Sequence, residues 1–380
     1  MPALEEGHAF QHMICSVRNR CSGSQPTSGG FPLEAKVSAI FRIGITPDFD
    51  RHAEGLIDPM LAERFDGVPG LVYERLAEAG PTATPAQLQD VDAVINMALK
   101  FGPDSFTGHD RLTVIARWGV GYDMIDVDAC TANDVALCIT PDGVRRPVAE
   151  AELTMLLALS KGLRAKDRAI RAGTWRGAGV GLGVCVQGRV VGTVGLGNIG
   201  AEFVRLVRPL GPGRILANDP YASGAAADAL GVELVDLATL LRQSDFVVIN
   251  CLLNRETRHL LGARELGLMK PTAFLVNCAR GGIIEPHALH AALAERRIAG
   301  AALDVFDREP IDPTDPLLSL DNVILAPHAI AWTEEIVRDN AIADCEACLA
   351  VFRGEIPNHI VNTEVVARAG FQAKLARYRR

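Results

Sequence analysis

The sequence predicts an α/β protein built on two doubly wound parallel sheets. Three observations carry that prediction. Short, nearly continuous apolar runs alternate with amphipathic stretches, the pattern of strands covered on both faces by crossover helices. The alternation begins near Ile40, is interrupted by one long helical stretch, and begins again near Val190. The second series contains six strand-like runs, and a glycine-rich turn follows the first of them, as in a complete dinucleotide fold. A length of 380 residues leaves room for two to three domains.

Taken in order, residues 1–37 stand apart. The run from Ser22 to Gly30 has linker composition and nothing to bury, so the segment reads as a disordered extension. In the first series, residues 91–97, 112–116 and 135–140 read as strands, and 71–79 as an amphipathic helix. A long helix starts at about Val148. Leu153, Leu156, Leu157 and Leu163 lie near helical spacing, and the helix runs with a break toward Trp175. The six later strands are 190–194, 215–218, 246–250, 273–277, 301–305 and 323–326. A final helix covers 333–352, and the basic tail with Lys374, Arg377, Arg379 and Arg380 reads as a solvated terminus.

Composition narrows the function classes. Hydrophobic residues make up 48% and charged ones 22%, an ordinary soluble balance. The net charge of -8 argues against a protein that lives on a phosphate backbone, so no nucleic-acid partner is expected. No apolar run approaches the roughly 20 residues of a membrane helix, and the N-terminus lacks a signal-type apolar block. A cytoplasmic protein without a membrane partner is the expectation. Nine cysteines without framework spacing fit a reducing compartment. Cys345 and Cys348 form a CxxC inside a helical pattern and read as plain helix residues, so no metal is expected.

The segment after the first strand of the second series carries Gly195-x-Gly197-x-x-Gly200. Gly195 permits a tight turn, Gly197 admits a pyrophosphate close to the backbone, and Gly200 lets the helix pack on the strand. Amides at the helix start then face the phosphate charge. The next strand ends in Asp219, nineteen residues beyond Gly200. About twenty is the spacing for a carboxylate that accepts hydrogen bonds from the adenosine ribose. Asp219 repels the extra phosphate of NADP, and residues 220–223 supply no Arg to bind it. The cofactor read from these residues is NAD.

Three polar segments punctuate the ends of the later strands, where open parallel sheets bind ligands. They contain Arg280, Glu309 and His328. Hydride transfer to a 2-oxo acid needs a cation for the carboxylate and carbonyl, and a proton donor for the oxygen. Arg280, with its planar donor fork, suits the first role and His328 the second. Glu309 suits the task of holding the imidazole and favouring its protonated form.

These residues bring the chain into resemblance with the D-isomer-specific 2-hydroxyacid dehydrogenases, from about Ile40 to Asn362. The markers are Gly119-Val120-Gly121-Tyr122-Asp123, Pro147-Val148-Ala149-Glu150, the glycine fingerprint, and the segments 277–282, 304–310 and 327–328. The resemblance implies catalytic Arg280, Glu309 and His328. It implies a substrate loop, Trp118, Gly119, Val120, Gly121 and Tyr122, whose amides bind the substrate carboxylate together with Arg280. It implies contacts to NAD from Gly195, Gly197, Asn198, Ile199, Gly200, Asp219, Asn277, Ala279, Arg280 and Asp304. The implied fold is a Rossmann NAD domain, 148–332, inserted in a flavodoxin-like substrate domain made of 38–147 and 333–380. The implied partners are a small 2-oxo or 2-hydroxy acid and a second copy of the chain in a homodimer.

Two departures from the family pattern stand out. Cys251-Leu252-Leu253 occupies the place of a His-x-Pro turn, and Trp332 stands where many members have small residues. A non-catalytic NAD-sensing corepressor on the same fold is the alternative from another class. Formate or phosphite dehydrogenase is a nearer rival; formate dehydrogenases of the family generally carry Gln where this chain has Glu309, which disfavours that option.

The cofactor reading yields a measurable expectation. The kcat/KM for NADH should exceed that for NADPH by at least roughly tenfold, about 1.4 kcal/mol, and Asp219→Ala should relax the preference. Comparable values for the two cofactors in the unaltered chain would sink it.

Overall fold

Five parallel strands form the first sheet of the computed structural model, which describes residues 40–108, 110–177 and 180–379. The extension expected over 1–37 lies outside the described residues. The strands are β1 (Phe41–Ile45), β2 (Leu71–Arg75), β3 (Ala93–Asn96), β4 (Val114–Arg117) and β5 (Ala136–Ile139). Their order, β2-β1-β3-β4-β5, is the flavodoxin-like order.

The second sheet has seven parallel strands: β6 (Val190–Val194), β7 (Arg214–Asn218), β8 (Glu233–Leu234), β9 (Phe246–Ile249), β10 (Phe274–Asn277), β11 (Gly300–Leu303) and β12 (Val323–Leu325). The order β12-β11-β10-β9-β6-β7-β8, counted from β6, is the 3-2-1-4-5-6 Rossmann order with a seventh strand at one edge. The sequence reading found six of these strands. The seventh, β8, is two exposed residues long and carries no apolar run to reveal it.

Residues 71–79 were expected to be helical, and this is corrected by β2. That strand pairs with β1 alone, Leu71 opposite Phe41 through Arg75 opposite Ile45. An edge strand has one neighbour, so Val72 and Glu74 face water and break the apolar run. The long helix spans Pro141–Lys161, seven residues earlier than expected, and Gly162 in the left-handed region (φ 60°) separates it from a second helix, Leu163–Arg171.

The long helix touches both layers. It packs against the helix Asn198–Val207 and strand β10 of the second sheet, and against the later helix Glu334–Phe352. Thr333 caps that later helix through its hydroxyl. Its buried residues Ala341, Cys345 and Cys348 join Phe41, Ile43, Val114 and Cys138 in the core of the first sheet. The first core therefore draws on two distant stretches of chain, and the second core, around Val247, Leu275 and Leu303, on the stretch between them.

Of the basic tail, Arg377 and Arg379 are exposed, but Lys374 is not solvated, contrary to its expected role. Lys374 is 7% exposed and its Nζ donates to the carbonyls of Leu112 (2.7 Å), Asn133 (2.7 Å) and Asp134 (3.2 Å). Tyr378 donates its hydroxyl to buried Asp92 at 2.5 Å. Phe371 and Leu375 insert into the first core between these polar anchors. Among the described residues no helix is long and apolar enough to cross a membrane.

Replacing Lys374 by Met leaves three carbonyls without their donor. The expected loss is about 3 kcal/mol, a fall in Tm of about 5–10 °C, measured by thermal denaturation. An unchanged Tm would mean that the tail does not brace the first sheet.

Candidate active site

The fingerprint turn is built by backbone constraints. Gly195 has φ 101°, and a Cβ there would lie 2.6 Å from the Asn250 carbonyl carbon. The Gly195 N–H donates to Asn218 O at 2.8 Å, and the Thr193 hydroxyl donates to Gly195 O at 2.7 Å. A Cβ on Gly200 would meet Gly195 O at 2.6 Å, so the helix lies directly on the turn. Around Gly197 the space is open: nothing stands within 4 Å of the place its Cβ would occupy. Gly197 caps the helix Asn198–Val207 without a side chain, which leaves its first amides facing that opening.

Asp219 closes the turn from β7. Its Oδ2 accepts the Leu196 N–H at 2.8 Å and its Oδ1 the Tyr221 N–H at 2.9 Å. Each oxygen keeps a lone pair for an outside donor. An open cradle at a helix start, with an anchored carboxylate at the next strand end, fits a dinucleotide.

On the neighbouring strands, Asn277 shapes the turn that presents Arg280. Its Oδ1 accepts the Ala279 N–H at 3.0 Å and its Nδ2 donates to Arg280 O at 2.9 Å. Arg280 then reaches the first sheet. Its Nε donates to Asp123 Oδ1 at 2.9 Å, and its Nη1 to Ala279 O at 2.9 Å. A Cβ on Gly121 would fall 1.7 Å from Arg280 Nη2, so the guanidinium occupies the volume that any other residue at 121 would need.

Glu309 and His328 meet across consecutive strand ends. His328 Nδ1 lies 2.7 Å from Glu309 Oε2, and Glu309 Oε1 accepts the Phe306 N–H at 2.9 Å. Burial pushes the Glu309 carboxyl up. The bond and charge of His328, the Phe306 N–H and the Arg280 charge together outweigh that push, and the carboxyl lies below its ordinary value. His328 itself has φ 55°, a left-handed conformation unusual for a residue with a Cβ. Buried Asp304 holds it there, accepting the Ala329 N–H at 2.9 Å and the Ile330 N–H at 3.2 Å. Burial raises the Asp304 carboxyl above its ordinary value although both amides pull the other way.

The structure narrows the expected substrate loop. Trp118 is buried, its ring edge-on to Phe49 at 5.2 Å, and its N–H donates to Asn96 O. The Gly119 N–H donates to Thr140 Oγ1 at 2.7 Å. Two of the five loop amides are therefore taken. Those of Val120, Gly121 and Tyr122 have no acceptor among the described residues.

Sequence reasoning gave no role to two charged residues beside this loop. Asp123 was seen as part of a motif, and its ion pair with Arg280 depends on a contact between the two sheets that no local signal records. Arg117, at the end of β4, is buried with its Nε unpaired. Burial first, then the charge of Arg280, lower its guanidinium to about 9, against Asp344, Asp123 and Asp48. Asp344 lies in the helix Glu334–Phe352, fully buried, and neither of its carboxylate oxygens has a partner. Burial pushes that carboxyl well up, with Arg117 opposing. Among the described residues no cluster of His, Cys, Asp or Glu could hold a metal ion.

Comparisons with known proteins agree with this architecture. Residues 153–329 match the profile of the family described as D-isomer specific 2-hydroxyacid dehydrogenase, NAD binding domain. The chain is 40% identical over 284 residues to a glyoxylate reductase of Korarchaeum cryptofilum, covering 74% of this chain and 85% of that protein. It is 38% identical over 322 residues to a glyoxylate reductase of Thermococcus onnurineus, covering 82% and 95%. Among solved structures, a glyoxylate reductase from Paecilomyes thermophila superposes with a TM-score of 0.73 at 27% identity, covering 85% of this chain and 99% of that one.

Proposed function

The chain belongs to the D-isomer-specific 2-hydroxyacid dehydrogenases, and from that premise we propose that it reduces a small 2-oxo acid of the glyoxylate class, with Arg280 as anchor and His328 as proton donor. It is an NAD-dependent enzyme. The observation that carries the proposal is the 2.7 Å contact of Glu309 with His328, at strand ends adjoining the one that presents Arg280.

NAD in its reduced form supplies a hydride to C2 of the oxo acid when bound. The rest of the chemistry falls to the chain. The Val120, Gly121 and Tyr122 amides and the Arg280 fork bind the substrate carboxylate, and Arg280 also draws electron density onto the carbonyl oxygen. His328 Nδ1 faces Glu309, so Nε2 is the nitrogen left to hold the proton that the carbonyl oxygen takes. In the direction of oxidation the same Nε2, unprotonated, accepts the hydroxyl proton. Glu309 fixes the ring and balances the imidazolium charge. In the cofactor site, Gly197 and the first amides of the helix Asn198–Val207 receive the pyrophosphate, and Asp219 receives the ribose hydroxyls. Ile199, Asn277, Ala279 and Asp304 line the same crevice.

The substrate class rests on the glyoxylate reductase relatives. The same reading makes the enzyme a cytoplasmic homodimer. Leu163, Ile170, Trp175 and Leu182 are all strongly exposed apolar side chains, of the kind a second copy would cover.

Turnover of NADH with glyoxylate, hydroxypyruvate and pyruvate tests the proposal. His328→Ala and Arg280→Ala should each lower kcat/KM by roughly 10²–10⁴-fold while NADH binding, followed by its fluorescence, is kept. Wild-type rates in either variant would refute the assignment.

A pH profile tests the pairing separately. Glu309 is held below the ordinary carboxylate range and so stays ionised through neutrality. The ionised carboxylate holds the His328 ring through Nδ1, so on the acid side activity should fall only where Glu309 takes up a proton, below its ordinary value. In Glu309→Gln no carboxylate is left to titrate, and this acid limb of the profile should disappear. A limb that stays in place would separate Glu309 from the proton transfer.

A further inference from the structure

Arg145 lies outside the constellation described so far. It is the fifth residue of the helix Pro141–Lys161, whose first turn leans on the start of the fingerprint helix. Asn198 Nδ2 donates to Pro141 O at 3.0 Å, and Arg145 Nη1 lies 3.5 Å from Asn198 Oδ1. Asn198 directly follows Gly197, beside the open space of the cradle.

This placement runs against the electrostatics of a helix start. Aligned peptide dipoles leave partial positive charge at the N-terminus of the helix Asn198–Val207, where a cation is disfavoured and an anion favoured. The counter-charge in contact with Arg145 is Asp142, three residues away at 3.2 Å and itself exposed. The next residue makes the contrast. Arg146 is held by two carboxylates, Glu150 at 2.5 Å and Glu202 at 3.2 Å. Arg145 has a half-exposed side chain and a long, weak contact to Asn198, so its fork is free to turn toward an anion placed between the two helices. A diphosphate supplies that anion, with adjacent oxygens that match a planar guanidinium.

We propose that Arg145 is a cofactor-binding residue, a cation carried by the helix that joins the two sheets, which closes onto the pyrophosphate of NAD(H). The inference rests on the fingerprint being the cofactor site. It gives the long helix a second task. The same element that spans the two sheets carries a charge whose second partner, beside Asp142, arrives with the cofactor. Cofactor affinity then depends on ionic strength through an exposed ion contact as well as through the helix amides.

The test is a fluorescence titration of the full chain with NADH, with displacement by ADP-ribose and by adenosine, on the wild type, Arg145→Gln, Arg145→Lys and Gly197→Val. Arg145→Gln should weaken NADH and ADP-ribose by the same factor, roughly tenfold. Adenosine, which has no phosphate, should displace equally well from both proteins. Arg145→Lys should recover part of the loss, and Tm should not change in either variant. Added salt should weaken NADH binding more in the wild type than in Arg145→Gln. Equal NADH affinity in the wild type and Arg145→Gln overturns the inference. So does a matching loss for adenosine, which would mark a structural role. If Gly197→Val binds NADH as the wild type does, the reading of the fingerprint fails, and this inference with it.

Discussion

Arg280 is held by both sheets at once. Asn277 shapes its turn at the end of β10, and Asp123, from the loop after β4, takes its Nε. Its Nη2 rests where a Cβ on Gly121 would be. The guanidinium proposed to bind the substrate carboxylate is therefore held in this place only when the first sheet's loop and the second sheet's strand end meet. A shift of about 1 Å between the sheets would break the Asp123 contact, and hydrogen bonds weaken steeply with such displacement. Anchoring of the substrate and the relative setting of the two sheets become one equilibrium, because the same guanidinium reports on both.

Beneath that loop the charges are arranged before any substrate arrives. Arg117 and Arg280 repel one another, and Arg117 has an unpaired Nε in a buried place. Such an arrangement costs stability, since a buried charge recovers its lost hydration only through well-made bonds. Asp123, Asp344 and Asp48 offset the cost without removing it. What the loop gains is a positive potential fixed beneath it by buried Arg117. In the proposed function an incoming carboxylate would relieve the repulsion between the two guanidinium groups with little reorganisation.

Much of this was legible in the sequence for physical reasons. Strands buried on both faces leave continuous apolar runs, so β3, β4, β5 and the central strands of the second sheet announce themselves. The glycines of the fingerprint are readable because each answers a local steric demand. Edge strands are not readable in this way: β2 alternates and β8 is only two exposed residues. The long helix was expected from about Val148, yet Pro141 is the start, because the helix accommodates Pro147 in its second turn. The docking of Lys374 was hidden for another reason. Its partners are carbonyls of residues 112, 133 and 134, and backbone acceptors leave no trace in the residue letters. Asp123 and Arg117 were missed likewise, since their importance comes from a neighbour that is remote in sequence.

The position of His328 follows from a similar, non-local bond. A histidine at φ 55° is disfavoured by roughly 1 kcal/mol or more and stays there only because its surroundings insist on it. The insistence comes from Asp304, whose carboxylate gathers the two amides that follow the histidine. These bonds are made to backbone, so the identity of residues 329 and 330 matters little to them, whereas the length and charge of residue 304 matter a great deal. Asp304 Oδ1 already accepts from both amides, and Oδ2 makes a longer contact of 3.3 Å to Ile330. Any cofactor donor that reaches Asp304 therefore finds Oδ2 as the oxygen with acceptor capacity to spare. One carboxylate thus sets the backbone behind His328 with one oxygen and keeps acceptor capacity on the other, so the proposed acid and the proposed cofactor contact would depend on a single side chain.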